Sequence, residues 1–587
     1  MNKFINNYGQ KYFDQLPSLS ECLIEVIQSK NINDIYGVGG DYAANIMKGL
    51  SEKINLLPSS NEMHAGFSGC AQAELCGISF VLTTYTVGSL PCMSAAALAM
   101  TERLPVVFIS GAPGESEIEA GGLHHAVHPS NSWEVNYNSA IQSFRALGIR
   151  AERLSGARND VQPSNAGNKF LELVTYASEQ QQPVFIEIPR DLVFQKVQPL
   201  EYFDTNKNQN FSGVKDVANH IQEKLKNCKF PLLFIGEKIK SNSKLLECTK
   251  QFIDKFNIPY ANNFFAKGLF DETNPLSLAT YNGVFSNKYS RDYIEKKTDF
   301  ILEICTSICT QDSSSAFATG TFIIDEFENK VSLKGDTVSC VEVLRVIEEL
   351  MTRPIQKFAS LELNKSKLNI DKKEIISFKN IANALNVIQE NSKETFCFLP
   401  EIGNSFFASF SFLTKSSKLK RTWLTNPWYA AMGTSLPYAR AVCNVIKSND
   451  YSDIPIVITG DGGFQFQCNE LIHFLKEKHF VIILLMRNNI FHLGKQGDCP
   501  MYYCGSENMD YKKLIEAYGG SHAKVSSFTQ LSDKMSEIMT TKKGINLIEI
   551  PCGIKEEDQS SEIKLLNLYI SAKSGDIESI KRWKNLN

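Results

Sequence analysis

The sequence predicts an α/β protein made of three doubly wound domains, each with a parallel sheet covered by helices on both faces. Two observations predict this fold class. Short apolar segments alternate with amphipathic helical segments along most of the 587 residues, as expected of parallel strands joined by helices. Two polar stretches, near residues 196–214 and 355–374, interrupt the alternation and have the composition of interdomain linkers.

The apolar segments fall into three blocks, and each block predicts one sheet. Strands are predicted at residues 35–38, 78–85, 105–110 and 183–188 in the first block, at 231–236, 299–304 and 322–325 in the second, and at 395–400, 455–459, 480–486 and 545–550 in the third. The expected domains are residues 1–195, 212–355 and 375–556, followed by a tail at 557–587. The tail ends in a basic amphipathic segment, which predicts a mostly solvated helix.

Composition and charge limit the choice of partners. The 61 basic and 64 acidic side chains nearly balance, so nothing in the charge favours nucleic acid. The first residues lack the apolar core of a secretory signal, so we expect a cytoplasmic protein whose 15 cysteines are mostly reduced. The charge-free stretch 75–101 is interrupted by Gly77, Gly88 and Pro91. It therefore predicts a buried strand, a turn and a helix, and no membrane partner is expected.

One βαβ unit in the third block places polar residues where a ligand is expected. Its first strand runs into the GDGG turn at residues 460–463, and the strand that returns beside it ends at the Asn pair 488–489. The carboxyl ends of parallel strands share one edge of a sheet, and ligands of open α/β sheets bind at that edge. We therefore expect Asp461 and Asn489 to lie close together.

The residue types at this edge suit a diphosphate held through a divalent metal ion. Gly462 and Gly463 allow backbone N–H groups to approach the phosphate oxygens closely, and a helix N-terminus favours the negative charge. Mg²⁺ prefers oxygen ligands in octahedral geometry. We expect those ligands to be the Asp461 carboxylate, the Asn489 amide oxygen and the backbone carbonyl of Phe491 in the following loop.

This arrangement resembles the thiamin diphosphate fingerprint, and from about residue 20 to about residue 555 the chain resembles the pyruvate and indolepyruvate decarboxylase family. The matching motifs include IYGVGGDY, NEMHAGFSGCA, GGLHHAVH, FFAKGLFDETNP, LPEIGNSFF and WYAAMGTSLPYA. The resemblance implies a pyrimidine-binding, a central and a diphosphate-binding domain. It also implies thiamin diphosphate and Mg²⁺ as cofactors, a small 2-oxo acid as substrate, and a homodimer or homotetramer with active sites between subunits.

The same resemblance assigns roles to residues that bind the cofactor. Glu62, in NEMHAG, matches the glutamate that bonds N1′ of the aminopyrimidine and thereby activates the cofactor. Met432, in YAAMGTS, matches the apolar residue that supports the bent shape of the cofactor. Gly403 and Asn404 match the stretch that lies near the pyrimidine and the diphosphate.

Three further residues match the family's proton-handling groups. Asp41 lies in GVGGDY, and His124 and His125 form the pair in GGLHHAVH. Histidine titrates near neutral pH, as a residue that transfers protons in catalysis must. The resemblance therefore implies that these residues face the substrate carboxylate and act with Glu62 in catalysis.

The loop after the Asn pair departs from the decarboxylase pattern. The decarboxylases carry a glutamate six residues after the metal asparagine, whereas this chain has Lys495 there, in NNIFHLGKQ, which resembles the acetohydroxyacid synthase loop. A carboligase that joins the decarboxylated intermediate to an aldehyde or a second 2-oxo acid is therefore an alternative to a simple decarboxylase. His492 or Lys495 could still supply a proton. A scaffold protein without catalytic activity is a third alternative. The family's TTYGVGE is also changed, to TTYTVGS at residues 83–89, so substrate preference does not transfer.

Overall fold

Three parallel sheets of six, five and five strands organise the protein. The structure is a computed structural model that describes residues 15–128, 134–156, 163–202, 213–306, 327–335, 339–359, 370–490, 505–553 and 555–586. The predicted fold class, an α/β protein with three parallel-sheet domains, is confirmed.

The first sheet contains six strands in the order β2-β1-β3-β4-β6-β5. They are β1 (Asp34–Gly37), β2 (Asn55–Pro58), β3 (Ser79–Thr83), β4 (Val106–Ala112), β5 (Arg150–Arg153) and β6 (Val184–Pro189). The accompanying helices are Leu19–Ser29, Ala44–Leu50, Glu62–Cys76, Met93–Thr101, Glu115–Glu119, Ser139–Ala146 and Ala166–Gln180. The charge-free stretch of the sequence forms β3 and the helix Met93–Thr101, as predicted.

The second sheet has the strand order β11-β10-β7-β8-β9. Its strands are β7 (Pro231–Ile235), β8 (Tyr260–Asn263), β9 (Ser277–Tyr281), β10 (Phe300–Ile304) and β11 (Lys330–Leu333). The α-helices described around it are Val214–Asn227, Ser243–Phe256, Lys288–Asp292 and Cys340–Met351. The strand predicted at 322–325 lies outside the described residues.

The third sheet has the order β12-β13-β14-β16-β15. Its strands are β12 (Phe396–Pro400), β13 (Ile454–Gly460), β14 (Val481–Arg487), β15 (Ser521–Lys524) and β16 (Ile545–Pro551). The helices of this part of the chain are Ile381–Glu390, Asn404–Ala408, Ser435–Asn449, Asp461–Gln465, Leu471–Glu477, Tyr511–Ala517 and Phe528–Thr541.

The tail contains a mostly solvated C-terminal helix, as the sequence predicts, and a further helix that packs on the domain. It forms two helices, Ser561–Lys573 and Ile577–Lys584. The first of them contacts the helix Asn404–Ala408 and buries Ile563 completely. The first helix of the tail therefore packs on the domain, whereas the basic amphipathic segment forms the second helix, which has no buried residue.

The chain divides into two compact units. The first consists of Met1–Lys207, Asn426–Val445 and Gln467–Glu477, and the second of Asn208–Thr425, Ile446–Phe466 and Lys478–Asn587. The first unit therefore includes two segments that follow β12 in the sequence.

A network of buried charges joins the separate segments of the first unit. Arg440 is fully buried and forms ion pairs with Glu470, at 2.8 Å, and with Glu477. Glu470 also accepts a hydrogen bond of 3.2 Å from the backbone N–H of Ser60. The Nδ1 atom of His64 lies 3.3 Å from the same carboxylate. The network therefore connects residues on both sides of Glu62 to the later segments.

The electrostatics of this network favour the ionised carboxylate. Burial alone would raise the pKa of Glu470, but the hydrogen bond with His64 and the charge of Arg440 lower it to about 2. A buried ion pair of this kind contributes little relative to an apolar core, yet removal of one partner leaves the other charge without compensation.

The second unit contains a buried ion pair of its own. Nζ of Lys267 lies 2.6 Å from the Glu272 carboxylate, and both side chains are almost completely buried. Lys267 also donates a hydrogen bond of 2.7 Å to the carbonyl of Phe412, and the backbone N–H of Thr414 donates to Glu272 at 3.1 Å. This pair therefore fixes the segment after β8 against residues 412–414.

In the part of the chain that the structure describes, none of the helices has the length and apolar character needed to cross a membrane.

We expect Arg440→Met to destabilise the protein by about 3–5 kcal/mol, because it leaves the Glu470 carboxylate buried without its cation. The measurement is the shift of the urea midpoint for unfolding. Lys447→Met is the control, since Lys447 is an exposed residue of the same helix. The double variant Arg440→Met/Glu470→Gln should recover part of the loss. Equal midpoints for Arg440→Met and the control would contradict this account.

Candidate active site

The carboxyl ends of β12, β13 and β14 lie side by side in the second unit. The register pairs Pro400 of β12 with Ile458 of β13, and Gly460 of β13 with Met486 of β14. Six of the predicted cofactor residues follow these strand ends, namely Gly403, Asn404, Asp461, Gly462, Gly463 and Asn489. They therefore share the edge at which parallel α/β sheets bind ligands.

Asp461 and Asn489, the two predicted metal ligands in the described part of this site, are in direct contact. Asp461 is the first residue of the helix Asp461–Gln465, and its side chain is fully buried. One carboxylate oxygen accepts the N–H of Gly462 at 3.1 Å, and the other accepts the N–H of Asn489 at 2.6 Å. Asn489 has φ 60°, a left-handed conformation that Asn adopts more readily than most residues.

Arg487 orients the side chain of Asn489, although it is not among the site residues predicted from the sequence. Its Nε donates a hydrogen bond of 3.0 Å to the Asn489 amide oxygen, and it forms a 2.9 Å ion pair with Glu549. His522 lies 3.0 Å from the other oxygen of Glu549. Although burial raises the pKa of Glu549, its hydrogen bonds with Arg487 and His522 lower it below its ordinary value.

Two glycines at this edge have structural requirements of their own. Gly403 has φ 116° and ψ −148°, a conformation that only glycine adopts without strain, and it begins the helix Asn404–Ala408. A Cβ atom on Gly463 would lie 2.6 Å from Cγ of Glu401. The amide oxygen of Asn404 is buried and has no hydrogen-bond donor among the described residues.

A second cluster of predicted residues lies in the first unit. The Asp41 carboxylate lies 3.1 Å from Nε2 of His124 and 3.3 Å from Nε2 of His125. The two imidazole rings are 3.8 Å apart between centroids, and the ring of Tyr42 contacts both. His124 is 64% exposed and His125 is 25% exposed, so the cluster is open to solvent.

Asp41 is held in its ionised form. Burial raises the pKa of Asp41, but the backbone hydrogen bond from Tyr42 and the charges of His125 and His124 lower it below the ordinary value. The cluster therefore places an ionised carboxylate in contact with two imidazole rings.

Glu62 is the first residue of the helix Glu62–Cys76, also in the first unit. The side chain of Asn61 caps this helix by accepting the N–H of His64 at 2.8 Å, and Glu62 is partly exposed. The Glu470 carboxylate holds the same turn in place, because it accepts the N–H of Ser60 and lies 3.3 Å from the ring of His64. Neither His64 nor Glu470 is among the site residues predicted from the sequence.

Met432 lies in a loop of the first unit that two side chains hold in place. Asn426 accepts the N–H of Ala431 at 2.5 Å. Glu102 accepts the N–H groups of Trp428, at 2.7 Å, and Tyr429, at 3.0 Å. Met432 itself is partly buried.

The third predicted metal ligand, Phe491, lies outside the described residues, as do His492 and Lys495. The residues that are described fit a diphosphate held through a metal ion. The Asp461 carboxylate is buried and a divalent cation would compensate its charge. The amide oxygen of Asn489 accepts a hydrogen bond from Nε of Arg487, and such an oxygen has a second lone pair with which it can bind a metal ion. Asn404 has a buried amide oxygen without a hydrogen-bond donor among the described residues.

Arg440 and Arg487, whose ion pairs hold other residues in place, leave only a weak signal in the sequence. Arg440 interrupts an otherwise apolar helical segment, and Arg487 ends an otherwise apolar strand. A charged residue at a buried position requires a partner. The partners Glu470 and Glu549 are distant in the sequence, so the pattern alone could not identify the pairs.

Three family models match the chain in order. The N-terminal thiamine pyrophosphate (TPP) binding domain of the thiamine pyrophosphate enzymes matches residues 17–132. The central domain of these enzymes matches residues 218–331, and the C-terminal TPP binding domain matches residues 401–550.

Curated relatives match nearly the whole chain. Indole-3-pyruvate decarboxylase of Azospirillum brasilense is 22% identical over 91% of this chain and 96% of its own length. Pyruvate decarboxylase 4 of Arabidopsis thaliana is 22% identical over 95% and 92%, and a probable pyruvate decarboxylase of Schizosaccharomyces pombe is 23% identical over 93% and 94%. The family predicted from the motifs is thus confirmed, and this chain belongs to the thiamine pyrophosphate enzymes.

Proposed function

We propose that this enzyme catalyses the non-oxidative decarboxylation of a small 2-oxo acid, with thiamin diphosphate bound through Mg²⁺. The observation that carries the proposal is the cluster of Asp41, His124 and His125, which has the chemistry needed to exchange protons with a substrate. The similarity to proteins named as pyruvate and indole-3-pyruvate decarboxylases supports it.

We propose that the cofactor binds at the edge of the third sheet, where the strands end. Asp461, Asn489 and the carbonyl of Phe491 would bind Mg²⁺, which in turn binds the diphosphate. The backbone N–H groups of Gly462 and Gly463 would face the phosphate oxygens at the start of a helix. Gly403 and Asn404 follow the adjacent strand.

Thiamin diphosphate, when bound, supplies the group that accepts the electron pair released as CO₂ leaves the substrate. The proposed task of Glu62 is to hold a proton at N1′ of the pyrimidine, which activates the cofactor. Met432 would support the cofactor by packing. Asp41, His124 and His125 would orient the substrate carboxylate and deliver a proton to the product.

The proposed domain roles are those of the family: residues 1–195 bind the pyrimidine, 212–355 form the central domain, and 375–556 bind the diphosphate. We further propose a homodimer or homotetramer in which active sites form between subunits, acting in the cytoplasm. Mass measurement of the purified enzyme by light scattering tests the oligomeric state.

A carboligase is the second candidate, because Lys495 occupies the position of the decarboxylase glutamate. A decarboxylated substrate that is not promptly protonated could instead be joined to a second carbonyl compound through a new carbon–carbon bond. Asp41 and the two histidines favour protonation, and the changed loop favours ligation.

Product analysis separates these two functions. With thiamin diphosphate, Mg²⁺ and a panel of pyruvate, branched and aromatic 2-oxo acids, we expect release of CO₂ and the corresponding aldehyde. Addition of acceptor aldehydes or a second 2-oxo acid should leave the aldehyde as the main product. A hydroxyketone or acetohydroxyacid as the main product would instead favour the carboligase, and absence of CO₂ release would contradict both.

We expect Glu62→Gln to lower turnover by at least about 100-fold, because the amide cannot hold the proton that activates the cofactor. The measurement is the initial rate of CO₂ release. Glu52→Gln is the control, since Glu52 is an exposed carboxylate in the same unit. Circular dichroism should be unchanged in both variants. Similar rates in Glu62→Gln and the wild type would remove Glu62 from catalysis.

We expect Asp461→Asn to weaken binding of thiamin diphosphate by about 10-fold or more in the presence of Mg²⁺, because the charged metal ligand is lost. Isothermal titration calorimetry measures this directly, without turnover. Asp450→Asn is the control, because Asp450 is exposed and its left-handed backbone, with φ 52°, suits asparagine. Equal affinities for the two variants would place the metal site elsewhere.

A further inference from the structure

The histidine loop, residues 121–128, carries His124 and His125 and has little packing to hold it in place. It follows the helix Glu115–Glu119, and none of its eight residues is buried. Leu123, which directly precedes the histidines, is 47% exposed. A segment with few buried apolar contacts opens easily unless hydrogen bonds hold it. The placement of the two imidazole rings therefore depends on polar contacts.

A tyrosine hydroxyl reaches this loop from a later segment of the first unit. The hydroxyl of Tyr137 donates a hydrogen bond of 2.8 Å to the carbonyl oxygen of Gly122, two residues before His124. The backbone adds a second connection, because the N–H of Asn136 donates to the carbonyl of Val127 at 3.0 Å. Two neighbouring residues therefore hold the loop on both sides of the histidine pair.

Tyr137 is itself fixed from the side of the sheet. Its carbonyl oxygen accepts hydrogen bonds from the Tyr85 hydroxyl, at 2.8 Å, and from the Arg153 guanidinium. Tyr85 is fully buried. Arg153 on β5 also donates to the buried Glu187 carboxylate on β6, at 2.8 Å. The Tyr137 hydroxyl thus extends from a well-anchored backbone to an exposed loop.

A second path connects Tyr85 to the histidine pair. The ring of Tyr85 packs edge-on against the ring of Tyr42, with 5.6 Å between centroids. Tyr42 in turn contacts both imidazole rings. Tyr85 therefore links the ring that touches the imidazoles to the backbone segment that holds their loop.

We propose that Tyr137 is a positioning residue, whose hydroxyl holds His124 and His125 beside Asp41 through the carbonyl of Gly122. The inference rests on the function proposed above, in which these histidines and Asp41 act on the substrate and product. Tyr137 acts through the loop and not on the substrate. A displacement of about 1 Å in a group that contacts the substrate can cost about 100-fold in rate, so loss of this hydroxyl should be measurable in turnover.

The chain provides a matched control in Tyr176, on the helix Ala166–Gln180 of the same unit. Tyr176 is partly buried like Tyr137, and its hydroxyl donates a hydrogen bond of 3.3 Å to the side chain of Gln182. This bond joins residues outside the histidine loop. Phenylalanine at either position removes one bonded hydroxyl and keeps the ring. Comparison of the two variants therefore separates positioning of the loop from the general loss of a hydrogen bond.

Amide hydrogen exchange, followed by mass spectrometry, tests the positioning without turnover. In the full-length enzyme with thiamin diphosphate and Mg²⁺, we expect Tyr137→Phe to speed exchange in the histidine loop by about 5-fold, because one hydrogen bond is lost. Tyr176→Phe should leave exchange in the loop unchanged, and both variants should keep the circular dichroism of the wild type. Equal exchange of the loop in Tyr137→Phe and the wild type would overturn the proposal, whatever the activity.

A double-mutant cycle tests whether the hydroxyl acts through the histidines. We expect Tyr137→Phe to lower kcat by about 10-fold, while calorimetry shows unchanged affinity for thiamin diphosphate. The comparison background is His124→Gln/His125→Asn, because asparagine suits the left-handed backbone at position 125, where φ is 58°. In that background Tyr137→Phe should cause no further loss. The same loss of kcat with and without the histidines would show that the hydroxyl acts elsewhere, and would overturn the proposal.

Failure of the proposed function gives a different result. If His124→Gln/His125→Asn turns over as fast as the wild type, the histidines have no part in the reaction and that function fails. Faster exchange of the histidine loop in Tyr137→Phe would still support the positioning role of Tyr137.

Discussion

The arrangement of the strand ends in the third sheet depends on the hydrogen bonds of one buried carboxylate, that of Asp461. Its two oxygens are bound by backbone N–H groups from the turn after β13 and from Asn489 after β14. These bonds fix the ends of two neighbouring strands relative to each other. Because backbone donors leave the negative charge largely in place, the arrangement suits a divalent cation better than a neutral ligand.

The charges of the first unit serve two different purposes. The Arg440 network is enclosed and holds the first turn of the helix that begins at Glu62, so its value is positional. The cluster of Asp41 and the two histidines is exposed instead, with weaker geometric restraint. The surroundings of an enclosed ion pair hold it in one geometry, whereas an exposed cluster is open to contact with small molecules from solvent.

Most interior strands could be predicted from the sequence, with the exception of β8, whose residues YANN include two polar asparagines, and most edge strands could not. The predicted segments correspond to strands such as β3, β4 and β13, which are buried on both faces and therefore continuously apolar. The strands that lay outside the predictions include β2 and β5 at the edges of the first sheet, where residues are partly exposed. The placement of Asp461 beside Asn489 followed from parallel topology alone. The partners of Arg440 and Arg487 depended on tertiary packing.

The first unit is discontinuous in sequence, and this affects how the protein can be made or divided. Ser60 and Glu470 meet across a separation of 410 residues. While the chain is being synthesised, the first block exists for a long period before the segments that bond Ser60 and His64 and cover this face of it. An isolated N-terminal block would expose that face permanently. A chimera between relatives would need to exchange residues 426–445 and 467–477 together with the first block, although they are encoded inside the third.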